Sequence, residues 1–172
     1  MALFIDHLPF HFWEDRTRTP PLGYWTIVLP IVLAEPNLLA LPAGLLPQDW
    51  GVDTGNRGEG YAWRQHLIQA GLDPDLNRLA NPVVITAVVG GKITVPVRQA
   101  DLWLVSNIAT LRYQAYRIPL QRGLPFQDVP TIPDPEFNRP LIGVRALRRS
   151  GLRIEIDFAN DTVSVWTPDP AP

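Results

Sequence analysis

The chain has 172 residues, enough for one domain with a sizeable core, and its 46% apolar content with six tryptophans excludes a disordered segment. A formal net charge of −2 leaves no footprint for nucleic acid or an anionic membrane surface, and the lack of cysteine excludes disulfide scaffolds and thiolate metal sites. Nineteen prolines spread along the chain argue against long helices and favour short strands joined by turns. The opening MALFIDHLPFHFWEDR lacks a basic n-region and is broken by Asp6, His7 and Pro9, so no secretory signal is expected. No apolar run reaches the about 18 residues of a membrane-spanning helix. A cytoplasmic protein is the expectation, with no membrane or nucleic-acid partner and no cofactor. His7 and His11 have a spacing that could hold a metal on a helix, but Pro9 lies between them and no third ligand is evident, so no metal site is expected.

Residues 1–24 read as an irregular N-terminal arm ahead of a domain over 25–172. Phe4, Phe10, Phe12 and Trp13 make the arm too apolar for a free tail. Trp25 to Val32 is a β-branched run, and Pro30 places it at an edge or a bulge. Asn37 to Leu46 is an apolar piece between prolines whose type the sequence leaves open. Tyr61 to Leu72 carries Trp63, Leu67 and Ala70 at helical spacing, with Gly71 at a C-cap position. Pro82 to Val97 holds two β-rich runs around Gly90-Gly91, a hairpin signal. Asp101 to Ser106 and Tyr113 to Leu120 are further strand candidates, and Leu124 to Arg139 reads as a proline-rich loop.

The C-terminal part is the most patterned. Pro140 to Gly143 reads as a buried strand stopping at a glycine. Val144 to Ser150 is a short amphipathic helix ended by Gly151, with Arg145, Arg148 and Arg149 as its solvated face. Leu152, Ile154, Ile156 and Phe158 alternate with Arg153, Glu155 and Asp157, the pattern of a half-buried strand. Ala159-Asn160-Asp161 is turn chemistry, and Val163 to Trp166 closes a hairpin.

Two short motifs stand in a specific order. Asp53-Thr54-Gly55 comes first. Leu141-Ile142-Gly143 comes later, followed by a short helix and a strand ending in Ile156-Asp157. This combination resembles the retropepsin-like aspartic proteases, in particular bacterial single-domain relatives of the retroviral enzymes, over roughly residues 25–166. The resemblance implies a mainly β, retropepsin-like acid-protease barrel with one or two short helices. It implies that Asp53 is the catalytic aspartate, with Thr54, Gly55 and Asn56 supporting its loop. Leu141, Ile142 and Gly143 would run beneath that loop, and Gly90 and Gly91 would tip a flap closing over a peptide substrate. Asn56 stands where the family usually has serine or alanine, and Gly51 where a larger apolar residue is usual.

Peptide hydrolysis of this kind needs two carboxylates. Held close, they cannot both ionise and share one proton, so one takes a proton from water while the other donates to the scissile carbonyl. The chain has one Asp-Thr-Gly and is too short for a two-lobed version of the fold. The second half is therefore expected from a second copy, Asp53 facing Asp53 across a twofold axis. Asp101 and Asp157 are weaker candidates for a second carboxylate within one chain, Asp157 lying on the strand face opposite Ile156 and Phe158. The alternatives are a catalytically inactive peptide-binding or scaffold domain of the same fold, and an unrelated β-sandwich or barrel. The last places Asp53 and Gly143 far apart.

Overall fold

A computed structural model describes residues 2–9, 11–15, 19–20, 22–56, 58–87, 91–106, 115–128 and 139–168. The side chains of 2–7, 9, 11–15 and 22–25, which include His7 and His11, lie outside that description, as does Gly90. The chain is mainly β, with two short helices and a large sheet curled into a half barrel. In chain order the strands and helices are β1 (Ala2–Pro9), β2 (His11–Asp15), β3 (Leu22–Thr26), β4 (Val28–Ala34), β5 (Gln48–Asp53), β6 (Gly60–Trp63), α1 (Arg64–Gln69), β7 (Val83–Ala87), β8 (Gly91–Val95), β9 (Val97–Arg98), β10 (Asp101–Val105), β11 (Ala115–Pro119), β12 (Leu124–Gln127), β13 (Leu141–Gly143), α2 (Val144–Arg149), β14 (Arg153–Asp157) and β15 (Thr162–Thr167). Among the described residues no helix is long and apolar enough to cross a membrane.

The half barrel runs β11-β10-β4-β5-β13-β6-β12-β9. Its centre is built from the most apolar segments. β4 and β10 are buried along their whole length, so both of their faces need cover. On one face Leu29, Ile31, Leu33, Leu102 and Leu104 join Trp50, Ile142, Leu147 and Val165 in the main core. On the other, Val32, Ala34, Trp103 and Val105 are covered by Leu38, Leu41 and Leu45, which gives the open-type segment 37–46 a packing role without regular structure. β4 is an interior strand, not the edge that Pro30 suggested. Its ladder to β10 ends at Ile31, so Pro30 pairs with Asp49 of β5 and its missing N–H falls beyond the β10 ladder.

The described residues among the first 24 are largely strand, not an irregular arm. β1 pairs antiparallel with β15, and β2 pairs with β3, so the expected boundary at residue 24 falls inside a strand. Segment 61–72 is part strand, part helix: β6 pairs with β13 through Tyr61 and Gly60, and the helix starts only at Arg64. Strand pairing overrides the helical spacing at 61–63, where β6 is held between β13 and β12. Leu124 to Gln127 is likewise a strand, parallel to β6, rather than the start of a loop.

Both helices leave the half barrel the same way. Each is six residues long and ends in a left-handed glycine, Gly71 at φ +74° and Gly151 at φ +68°. In each, the residue after the glycine donates back into the last turn, Leu72 N–H to the Leu67 carbonyl and Leu152 N–H to the Leu147 carbonyl. This closure explains how such short helices stop where they do, and it turns β14 back along β15. β14 is less buried than its alternation suggests: Ile156 is 41% and Phe158 79% exposed.

Candidate active site

Asp53 is the last residue of β5, and the chain turns immediately after it. The turn is closed by the aspartate itself. Its Oδ1 accepts the N–H of Gly55 at 2.9 Å and of Asn56 at 3.1 Å, and its carbonyl also accepts from Asn56 N–H at 3.2 Å. Such an Asx turn is the local conformation that an aspartate followed by a small residue favours. Oδ2 makes no hydrogen bond to the described residues. A Cβ on Gly55 would sit 3.3 Å from Asp53 Oδ1, tighter than ordinary contact. Thr54 and Gly55 form the exposed tip, and Asp53 is half-buried.

Asn56 makes a second turn of the same type, its Oδ1 accepting Gly58 N–H at 2.7 Å. The two turns aim the carbonyls of Asn56 and Gly58 at β13. There, a Cβ on Gly143 would meet the Gly58 oxygen at 2.3 Å and the Asn56 oxygen at 3.0 Å. Only glycine permits that approach. Gly143 N–H also donates to the Glu59 carbonyl at 3.0 Å. Asn56 thus helps to hold the loop against Gly143.

β13 runs parallel to β5 in the register Leu141 to Gly51, Ile142 to Val52 and Gly143 to Asp53. The two motifs of the sequence, remote along the chain, are therefore adjacent. The separation of Asp53 from Gly143 expected for an unrelated β-sandwich or barrel is not observed. Ile142 is fully buried in the main core. The register also accounts for Gly51, because a Cβ there would lie 3.2 Å from Leu141 Cδ2. Leu141 occupies the room that a larger residue at 51 would take.

No family model, curated protein or solved structure matches the chain.

The other acidic candidates are elsewhere and otherwise engaged. Asp101 is buried, bound to Arg117 at 2.7 Å and accepting Asn37 N–H at 2.7 Å. Asp157 is exposed and caps the turn to β15 by accepting the N–H of Ala159 at 2.9 Å and of Asn160 at 3.2 Å. The flap candidate is a two-stranded hairpin, β7 with β8, outside the half barrel. Gly91 opens β8 at φ +82°.

Two buried ionisable side chains escaped the sequence reading. Glu59 is only 4% exposed, and its carboxylate pairs with Arg149 of α2 and accepts Arg122 N–H at 2.9 Å. Arg149 also donates to the Pro119 carbonyl at 2.6 Å. Arg149 therefore does not belong to the solvated face of α2, although Arg145 and Arg148 do. A glutamate flanked by two glycines reads as an exposed turn, and nothing local signals its burial. His66 is the second. It is buried, its Nδ1 accepts Trp63 N–H at 3.1 Å, and burial lowers its pKa to about 4. It caps α1 as a neutral ring, next to the strand that carries Tyr61. The Tyr61 hydroxyl donates to Gln127 Oε1 at 2.6 Å, and burial raises its pKa, so it stays a donor.

Proposed function

We propose that this protein is an aspartic endopeptidase of the retropepsin-like type, working as a homodimer in which two Asp53 carboxylates activate one water. The observation that carries this reading is the pairing of Asp53 with Gly143 across parallel strands, with the Asp53 loop folded onto a glycine that admits no side chain. That arrangement holds a carboxylate at a fixed place with Oδ2 open to an incoming group. One chain supplies a single such carboxylate. A second copy related by a twofold axis would bring the same loop to the other side.

In that dimer the two carboxylates share one proton. The ionised one removes a proton from water, and the protonated one donates to the carbonyl oxygen of the scissile peptide. The roles then reverse as the amine leaves. The pair has joint titration behaviour rather than two separate values. Thr54, exposed at the loop tip, is placed to brace the partner's loop. The β7–β8 hairpin would close over a bound peptide, because among the described residues strand pairing ties it to no other part of the sheet.

Asp53→Asn is the direct test. Asparagine keeps an Oδ1 that accepts from Gly55 and Asn56, so the loop should survive. It cannot act as acid and base, and cleavage of an unbiased peptide library should fall by at least about 10²–10⁴-fold at every pH. Full cleavage by the variant would overturn the mechanism. Peptide binding by both forms with cleavage by neither would identify a non-catalytic binding module instead.

A further inference from the structure

The loop that carries Asp53 is held from behind by a charged group with no part in the chemistry above. Beyond β5, Asp53 and Asn56 each close an Asx turn, and β6 begins at Gly60. At the far end stands Glu59, its side chain 2% exposed, in a place where an isolated charge would be costly. Its partners come from three separate segments. Two of these hold its side chain, Arg149 at the end of α2 and Arg122 N–H on the turn before β12, and the third is reached through Arg149, which donates to the Pro119 carbonyl at the end of β11. Its own carbonyl receives Gly143 N–H. The backbone of Glu59 thus holds β13, while its side chain ties the same residue to α2, the helix that β13 leads into. Gly58, one residue earlier, makes the close approach to Gly143.

We infer that Glu59 is a positioning residue for Asp53: its ion pair with Arg149 clamps the 53–59 loop onto Gly143 and so fixes the direction of the Asp53 carboxylate. This role rests on the proposed peptidase reading for its catalytic consequence, but not for its structural one. Without the clamp, the Gly58 and Asn56 carbonyls can lift from β13. The amide donors that hold Asp53 Oδ1 would shift with them. Misplacement of a reacting group by about 1 Å is enough to lower turnover about 100-fold.

The experiment compares wild type, Glu59→Gln and the double variant Glu59→Met/Arg149→Met by amide hydrogen exchange, thermal unfolding and steady-state peptide cleavage. Glu59→Gln keeps the shape but leaves Arg149 without its counter-charge. The double variant removes both charges, an exchange that often restores stability. The clamp predicts that the amides of Gly55, Asn56 and Gly143 exchange at least about tenfold faster in Glu59→Gln than in wild type, while those of β4 and β10 keep their rates. It predicts a kcat about 100-fold lower at unchanged KM, and a double variant that recovers Tm but not kcat. A kcat that returns with Tm, or exchange that accelerates equally throughout the chain, would reduce Glu59 to a general stabiliser and overturn the inference. Should wild type cleave nothing, the peptidase reading fails while exchange still decides the clamp: local acceleration supports it, and unchanged loop amides refute it.

Discussion

Gly143→Ala probes the central contact most directly. A methyl group at 143 would sit 2.3 Å from the Gly58 oxygen and 3.0 Å from the Asn56 oxygen, and both are backbone atoms. A carbon–oxygen contact relaxes to about 3.3 Å, so the loop or β13 must move by about 1 Å. The loop is held by the Asp53 and Asn56 turns, and β13 by β5 on one side and β6 on the other. Neither can give way alone. Overpacking of this kind costs about 2–3 kcal/mol, which corresponds to about 5–10 °C in Tm for a chain of this size. Gly51→Ala is the matched control on the paired strand. Its Cβ would meet only Leu141 Cδ2 at 3.2 Å, the mobile end of a side chain. The small crowding there is offset by the lower entropy of the unfolded alanine chain, so the net change should stay below about 1 kcal/mol. Urea unfolding followed by tryptophan fluorescence, at one protomer concentration, measures both. If Gly143→Ala is no more destabilising than Gly51→Ala, the close approach of the Asn56 and Gly58 carbonyls to Gly143 is wrong and the site built on it falls.

Two further outcomes are expected. Peptide cleavage per protomer should fall on dilution as the shared site comes apart, and a sedimentation study that finds only monomer at every concentration would refute the two-chain site. His66 makes stability pH-dependent: its folded pKa of about 4 lies below its ordinary 6.5, so the unfolded chain binds the extra proton between those values. Stability from this group is complete above about pH 6.5 and is lost as pH falls towards 4, by about 2 kcal/mol on going from pH 7 to pH 5. His66→Gln should remove that slope in urea titrations, and an unchanged slope would show that the ring is not the source.

The parts of the fold that were readable in the sequence are those whose pattern depends on near neighbours. The β7–β8 hairpin, the helix after Gly143 and the β14–β15 hairpin follow from turn residues and short-range alternation, and both glycine stops lie where expected. What was unreadable depends on partners far along the chain. The N-terminal strands form because β1 pairs with β15 and β2 with β3, and no local signal announces a pairing between the two ends of the chain. Pro30 marks an edge by rule, yet it lies in an interior strand because the neighbouring ladder stops one residue earlier. Ile156 and Phe158 alternate like buried residues but remain exposed, since periodicity states which face is apolar and not whether anything covers it. The site divides in the same way. Asp53 and Gly143 were found from motifs, whereas Glu59 and Arg149 are 90 positions apart and meet only because α2 folds back over the loop.

Gly51 and Asn56, the two departures from the expected pattern, have structural counterparts that offset them. At Gly51, the side chain missing from β5 is replaced by Leu141 from β13, the residue directly across the ladder. At Asn56, a larger polar residue replaces a small one, and its amide oxygen is used to hold Gly58 N–H. That second turn delivers the Gly58 carbonyl to Gly143, the contact that Gly143→Ala would break. Both residues thus hold Asp53 in place relative to β13. The Asn56 turn and the Glu59 clamp act on the chain just after Asp53, and the Leu141 filling acts on the strand that leads into it.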